Sequence, residues 1–117
     1  MKQDYLQMRV LELAPEVYAS GPLFETDLQL IARQKVRSIV NTRPDNEAAD
    51  QPASADLAKA AEEFGITYLH FPVDLGSITQ EVAEAFMKAC EELDRPLLVC
   101  GRSGGLSTRI WEAAESM

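Results

Sequence analysis

Two hydrophobic rhythms alternate along the 117-residue chain. Short apolar runs are followed by stretches whose apolar residues recur three and four positions apart, the spacing of one helix face. "MRVLELAPEVYAS" reads as two short strands around a turn at Ala14-Pro15. "ETDLQLIARQ" reads as a helix, with Leu28, Ile31 and Ala32 on one stripe and Thr26 and Gln29 at capping-box spacing. "VRSIVNT" is a strand, "RPDNEAADQPAS" a polar loop, and "ADLAKAAEEF" an alanine-rich helix that Gly65 is placed to end. "ITYLHFPV" is the next strand and "DLGSI" a loop. Thr79 then caps a helix whose apolar face holds Val82, Phe86, Cys90 and Leu93. "PLLVC" is wholly apolar, as a strand covered on both faces should be. A last helix is expected from about Ser107, bearing Ile110 and Ala114.

Strands alternating with helices predict an α/β fold, a mostly parallel sheet flanked by helices with right-handed winding. One domain is expected over residues 1–117, with its core over residues 17–117. No repeat, low-complexity tract or linker divides the chain. The formal net charge of −8 disfavours nucleic acid and anionic membrane surfaces as partners. It also means that an anion site must be made locally, from backbone amides and a few arginines. The first residues contain no long apolar run, so neither a signal peptide nor a membrane span is expected. Two cysteines, Cys90 and Cys100, are too few for a disulfide framework and lack metal-ligand spacing. A reduced, cytoplasmic setting is expected, with no metal or organic cofactor implied.

In a parallel sheet, ligands collect beyond the carboxyl ends of the strands. The loops after Thr42, Val73 and Cys100 therefore converge on one rim. The loop after Cys100 is the most informative. Gly101, Gly104 and Gly105 allow successive N–H groups to point into one concavity, and the following helix adds its amino-terminal dipole. Arg102 can add a bidentate contact to phosphate or carboxylate. Residues Gly101, Arg102, Ser103, Gly104, Gly105, Leu106 and Ser107 are thus a candidate anion loop for phosphate, sulfate or a phosphorylated ligand. The plainer alternative is a tight turn that packs a helix closely on a sheet.

Four segments, "VYASGPLFETDL", "VRSIVNTRPDNE", "ADLAKAAEEFGITYLHFPVDLGSIT" and "RPLLVCGRSGGLSTRIWEAA", occur in this order. Together, from about Val17 to Ala114, they resemble a bacterial family of candidate phosphatases, known alone or fused to beta-lactamase-like hydrolase domains. That family is similar in fold to the dual-specificity tyrosine phosphatases, and some members are assigned as sulfur transferases. The resemblance implies a cysteine nucleophile, an arginine in the active loop and an aspartic acid as general acid.

The loop departs from the family pattern. Members usually read proline, three apolar or small residues, His, Cys, Arg-Ser-Gly, one residue, Arg, Ser. Laid without gaps from Pro96, Cys100 falls at the His position and Gly101 at the nucleophile position, while Arg102, Ser103, Gly104 and Ser107 match. A register slipped by one residue keeps Cys100 as the nucleophile. Both registers put Leu106 where the arginine belongs. An arginine that stabilises a phosphoryl transition state is worth about 10³–10⁵ in rate. The expectation is therefore a phosphatase-like pseudoenzyme that acts as a binding or regulatory module, with a protein partner among its open ligands. The alternative is an active phosphatase or sulfur transferase using Cys100 as nucleophile and Asp74 as general acid.

Several residues keep two readings. Cys100 is a thiol activated at a helix amino-terminus or the end of an apolar strand. Asp74, which the resemblance makes the general acid, is otherwise a turn residue. Arg43 braces the active loop or lines its rim, and Asp45 accepts backbone N–H groups in a loop fixed by Pro44. His70 is expected as a hydrogen-bonded core histidine and Cys90 as packing. Trp111 and the residues near Met117 are a candidate interface patch.

Overall fold

The computed structural model describes residues 10–74 and 76–116. Strands β1 (Val10–Ala14), β2 (Val17–Ser20), β3 (Ser38–Asn41), β4 (Thr67–His70) and β5 (Leu97–Cys100) form one sheet in the order β1-β2-β5-β3-β4. β1 is antiparallel to β2, and the pairings β2–β5, β5–β3 and β3–β4 are parallel. Helices α1 (Asp27–Arg33), α2 (Ser54–Glu63), α3 (Gln80–Glu91) and α4 (Gly104–Glu115) complete the α/β fold expected from the sequence.

Central position explains why β5 carries no polar residue. Leu98 and Cys100 face one layer, with Ile39 and Tyr18, against Leu28 and Ile31 of α1 and Leu57 and Ala61 of α2. Leu97 and Val99 face the other, with Val17 and Val40, against Ala83 and Phe86 of α3 and Ile110 and Trp111 of α4. Both faces are dry, so alternation with solvent-facing residues is impossible. Trp111 is buried in this second layer, edge-on to Phe86 at 6.5 Å between centroids, and forms no surface patch. Met117, like Met8 and Arg9 of the first expected strand, lies outside the described residues.

The helix termini follow local chemistry, with two departures from expectation. Thr79 caps α3 by accepting Val82 N–H at 3.1 Å, and Gly65, at φ 72°, ends α2. Thr26 does not cap α1: its φ/ψ of −66°/−20° is already helical, whereas a capping side chain needs extended backbone. Asp27 instead accepts Phe24 N–H at 2.8 Å. α4 begins at Gly104 rather than near Ser107, because Ser103, in extended conformation, caps it by accepting Leu106 N–H at 3.1 Å. Among the described residues, no helix is long and apolar enough to cross a membrane.

Candidate functional site

Parallel pairing brings the carboxyl ends of β2, β3, β4 and β5 to one rim. The structure adds the loop after β2 to the three expected there. Gly21 sits against the start of α4, where an added Cβ would lie 3.7 Å from Ser103 Cα and 3.8 Å from Gly104 N. The only signal for this approach in the sequence is the Gly-Pro pair that breaks the chain after β2.

Beyond Cys100 the chain turns at Gly101, which is buried. A Cβ at 101 would meet Thr42 Oγ1 at 2.7 Å and Ser107 Oγ at 3.0 Å. Neither hydroxyl is idle. Thr42 Oγ1–H donates to the Cys100 carbonyl at 2.8 Å, and Ser107 Oγ–H donates to the Ser20 carbonyl at 2.9 Å. Close approach, not unusual backbone geometry, is therefore what requires glycine here. Among the described residues the one glycine at positive φ is Gly65, so no glycine of the loop is required by a left-handed backbone.

Gly104 and Gly105 lie in the first turn of α4. Their N–H groups have no acceptor within the helix, and the helix dipole adds a partial positive charge beside them. The Leu106 N–H is taken by Ser103 Oγ, and the Ser107 N–H by the Ser103 carbonyl at 3.0 Å. Leu106 itself is half-buried and supplies no charge to the loop.

Cationic groups reach the rim from two loops. Arg102 has a side chain 59% exposed, and its Nη1 lies 3.8 Å from Glu47 Oε2. Arg43, 11% exposed, pairs its Nε with Glu47 Oε1 at 2.9 Å. Arg43 is also held through its backbone, donating N–H to Asn41 Oδ1 at 3.0 Å and accepting His70 Nε2–H on its carbonyl at 2.8 Å. His70 is thus half-buried and hydrogen-bonded, in line with its reading as a structural histidine. Asp45 turns away from the loop after β5, accepting Ser54 N–H at 2.8 Å at the start of α2.

Asp74 stands at the same rim. Val73 N–H donates to the Thr42 carbonyl at 3.0 Å, which carries the chain alongside the end of β3. The Asp74 carboxylate is exposed and accepts Gly76 N–H at 2.9 Å and Ser77 Oγ–H at 3.4 Å, an ordinary Asx turn.

Cys100 points the other way. It is 1% exposed, packed in the α1/α2 layer, and its Sγ–H donates to Asn41 Oδ1 at 3.7 Å. Asn41 Nδ2–H in turn donates to Tyr68 Oη at 2.9 Å, and Tyr68 Oη lies 2.7 Å from Ser54 Oγ. Burial pushes the Cys100 thiol up to about 12, against a smaller opposing pull from the Arg43 guanidinium. Burial raises Cys90, on α3, to about 12 as well. Both thiols stay protonated in the fold at pH values where the unfolded chain would ionise them, since the ordinary value is 9.0. The unfolded state then binds fewer protons, so stability is intact below pH 9 and falls as pH rises toward 12. Urea midpoints at mildly and strongly alkaline pH test this: the drop should shrink in Cys90→Ala/Cys100→Ala protein, and an unchanged drop would refute it.

Residues 8–117 match the family model for the phosphatase-like domain of beta-lactamase hydrolase-like proteins. The chain belongs to this family. The beta-lactamase hydrolase-like protein of Xylella fastidiosa is 31% identical to this phosphatase-like domain over 108 residues, which is 92% of this chain and 25% of that protein. The domain thus spans about a quarter of the length of the curated relatives it matches. The crystal structure of a candidate phosphatase from Neisseria meningitidis is 31% identical and superposes with a TM-score of 0.82, covering 92% of this chain and 78% of that one. A Pseudomonas aeruginosa protein crystallised with phosphotyrosine shares the fold at 16% identity and a TM-score of 0.56, over 85% of this chain and 56% of that one. Tyrosine and dual-specificity phosphatases are thus its neighbours in architecture, as the sequence resemblance implied.

Proposed function

We propose that this phosphatase-like domain binds a phosphoryl or similar oxyanion at the Gly101–Ser107 turn without cysteine-dependent turnover, serving as a binding or regulatory module. Gly101 carries the reading. Its missing Cβ would stand 3.0 Å from the Ser107 hydroxyl, which supports the ungapped register, in which a glycine falls where the resembled family has its nucleophile. Cys100, one residue earlier, faces the opposite layer as a protonated core thiol. The first-turn amides of α4 and the exposed charge of Arg102 remain available to an anion. The phosphotyrosine held by the Pseudomonas aeruginosa protein is the class of ligand in view.

The test is hydrolysis of a generic aryl phosphate by wild-type and Cys100→Ser protein, alongside a titration with inorganic phosphate. The expected outcome is phosphate binding, lost or weakened about tenfold in Arg102→Ala, with a hydrolysis rate barely above background in both wild type and Cys100→Ser. A robust rate abolished by Cys100→Ser would overturn the reading and restore Cys100 as nucleophile, with Asp74 as the acid to examine next.

A further inference from the structure

Among the described residues, Glu47 is the one acidic side chain whose two oxygens reach two arginines of different loops. Oε1 lies 2.9 Å from Arg43 Nε, and Oε2 lies 3.8 Å from Arg102 Nη1. The two contacts are unequal in kind. The Arg43 pair is short and sheltered, with side chains 11% and 26% exposed, and Arg43 is fixed at both its N–H and its carbonyl. The Arg102 contact is long, and that side chain is 59% exposed on the loop after β5. One contact is built to stay and the other to break.

We propose that Glu47 is an internal counter-anion: Arg43 holds its carboxylate within reach of Arg102, and an incoming oxyanion must displace it from that guanidinium. This rests on the reading of the Gly101–Ser107 turn as an anion site and assigns that site's selectivity. A phosphate dianion can take a bidentate grip on the guanidinium, beyond what a carboxylate at 3.8 Å offers, so the exchange favours it. A free monocarboxylate can form the same bidentate pair with a guanidinium, so what distinguishes phosphate is its second charge, drawn by Arg43, Arg102 and the α4 amino-terminus together against the single charge of Glu47. The site therefore selects dianionic phosphoryl groups over singly charged acids.

The experiment is a calorimetric titration of the full chain with inorganic phosphate at slightly alkaline pH, in wild type, Glu47→Gln, Arg102→Ala and the double variant. Glu47→Gln should bind phosphate about fivefold more tightly than wild type, the size of one exposed ion pair. In the Arg102→Ala background the same change should give less than about twofold, because the competition is for that guanidinium. Acetate, used as a competitor, should weaken phosphate binding more in Glu47→Gln than in wild type, where it must displace Glu47 as well. Equal or weaker phosphate binding by Glu47→Gln would overturn the proposal while leaving the anion site standing, and would make Glu47 a brace for Arg102. A gain that persists undiminished without Arg102 would overturn it as well, leaving only general repulsion. Phosphate binding by neither protein would instead remove the anion site itself, and the Glu47 proposal with it.

Discussion

Phe86→Ala should cost this domain about 3–5 kcal/mol of folding free energy. Phe86 is fully buried in the layer between the sheet and α3/α4. Its ring meets Phe71 edge-on at 5.6 Å and Trp111 edge-on at 6.5 Å, so truncation empties a site that touches both the rim-proximal end of the layer and α4. Domains of this size have a total stability of about 5–15 kcal/mol, so the loss takes roughly a fifth of it or more. Urea denaturation followed by far-ultraviolet circular dichroism reads the loss without relying on Trp111, whose own fluorescence would change with its neighbour. Phe64→Ala supplies the contrast: at 44% exposure it should move stability by no more than about 0.5 kcal/mol. Comparable losses in the two variants would contradict the layer assignment.

The elements were legible where hydrophobic periodicity alone determines them. An apolar run such as Leu97–Cys100 has no partner other than two covered faces, and the Phe86 and Cys90 stripe has only one side to bury. The start of α4 was not legible, because Gly104 and Gly105 are poor helix formers and argue for a loop. Their deficit of about 1 kcal/mol each is offset by the Ser103 cap and by the burial of Ser107, Ile110 and Trp111. The loop after β5 was recognisable as a strand-to-helix turn, but the close approach that requires Gly101 was not. Sequence does not distinguish a glycine needed for φ from one needed for space, and the Thr42 and Ser107 hydroxyls that crowd position 101 come from separate elements.

The orientation of Cys100 stayed open for a related reason. Strand alternation puts it on the face of Leu98, but with both faces covered that pattern does not say which one carries chemistry. Glu47 was hidden more completely. In the chain it is one charge in a polar loop, and its meaning arises only when the folded sheet brings Arg43 and Arg102 to its two oxygens. Asp45 was more readable, since an aspartate after proline in a loop has few uses other than accepting backbone N–H, which it does from Ser54.

The same geometry says how to test the proposed absence of turnover. Thr42→Ala/Gly101→Cys/Leu106→Arg protein is expected to hydrolyse an aryl phosphate at least about 10²-fold faster than wild type. The low end of what a loop arginine contributes is about 10³, and the new site will not be ideally placed. Gly101→Cys alone is not enough, because its Cβ would lie 2.7 Å from Thr42 Oγ1, a branched side chain tied to the Cys100 carbonyl. Thr42→Ala clears that oxygen, and the Cys100 carbonyl keeps the Thr42 N–H at 2.8 Å as a donor. The new sulfur would then stand near the Ser107 hydroxyl and the α4 amino-terminus, which favour a thiolate against the cost of a buried position. Leu106→Arg restores a cation in the first turn of the helix. Activity should be lost on alkylation with iodoacetate and unaffected by adding Cys100→Ser. A triple variant that is folded and binds phosphate, yet stays at the wild-type rate, would show that position 101 is not where the family's nucleophile stood. The anion site would then be a feature of the turn alone, without a reaction to recover.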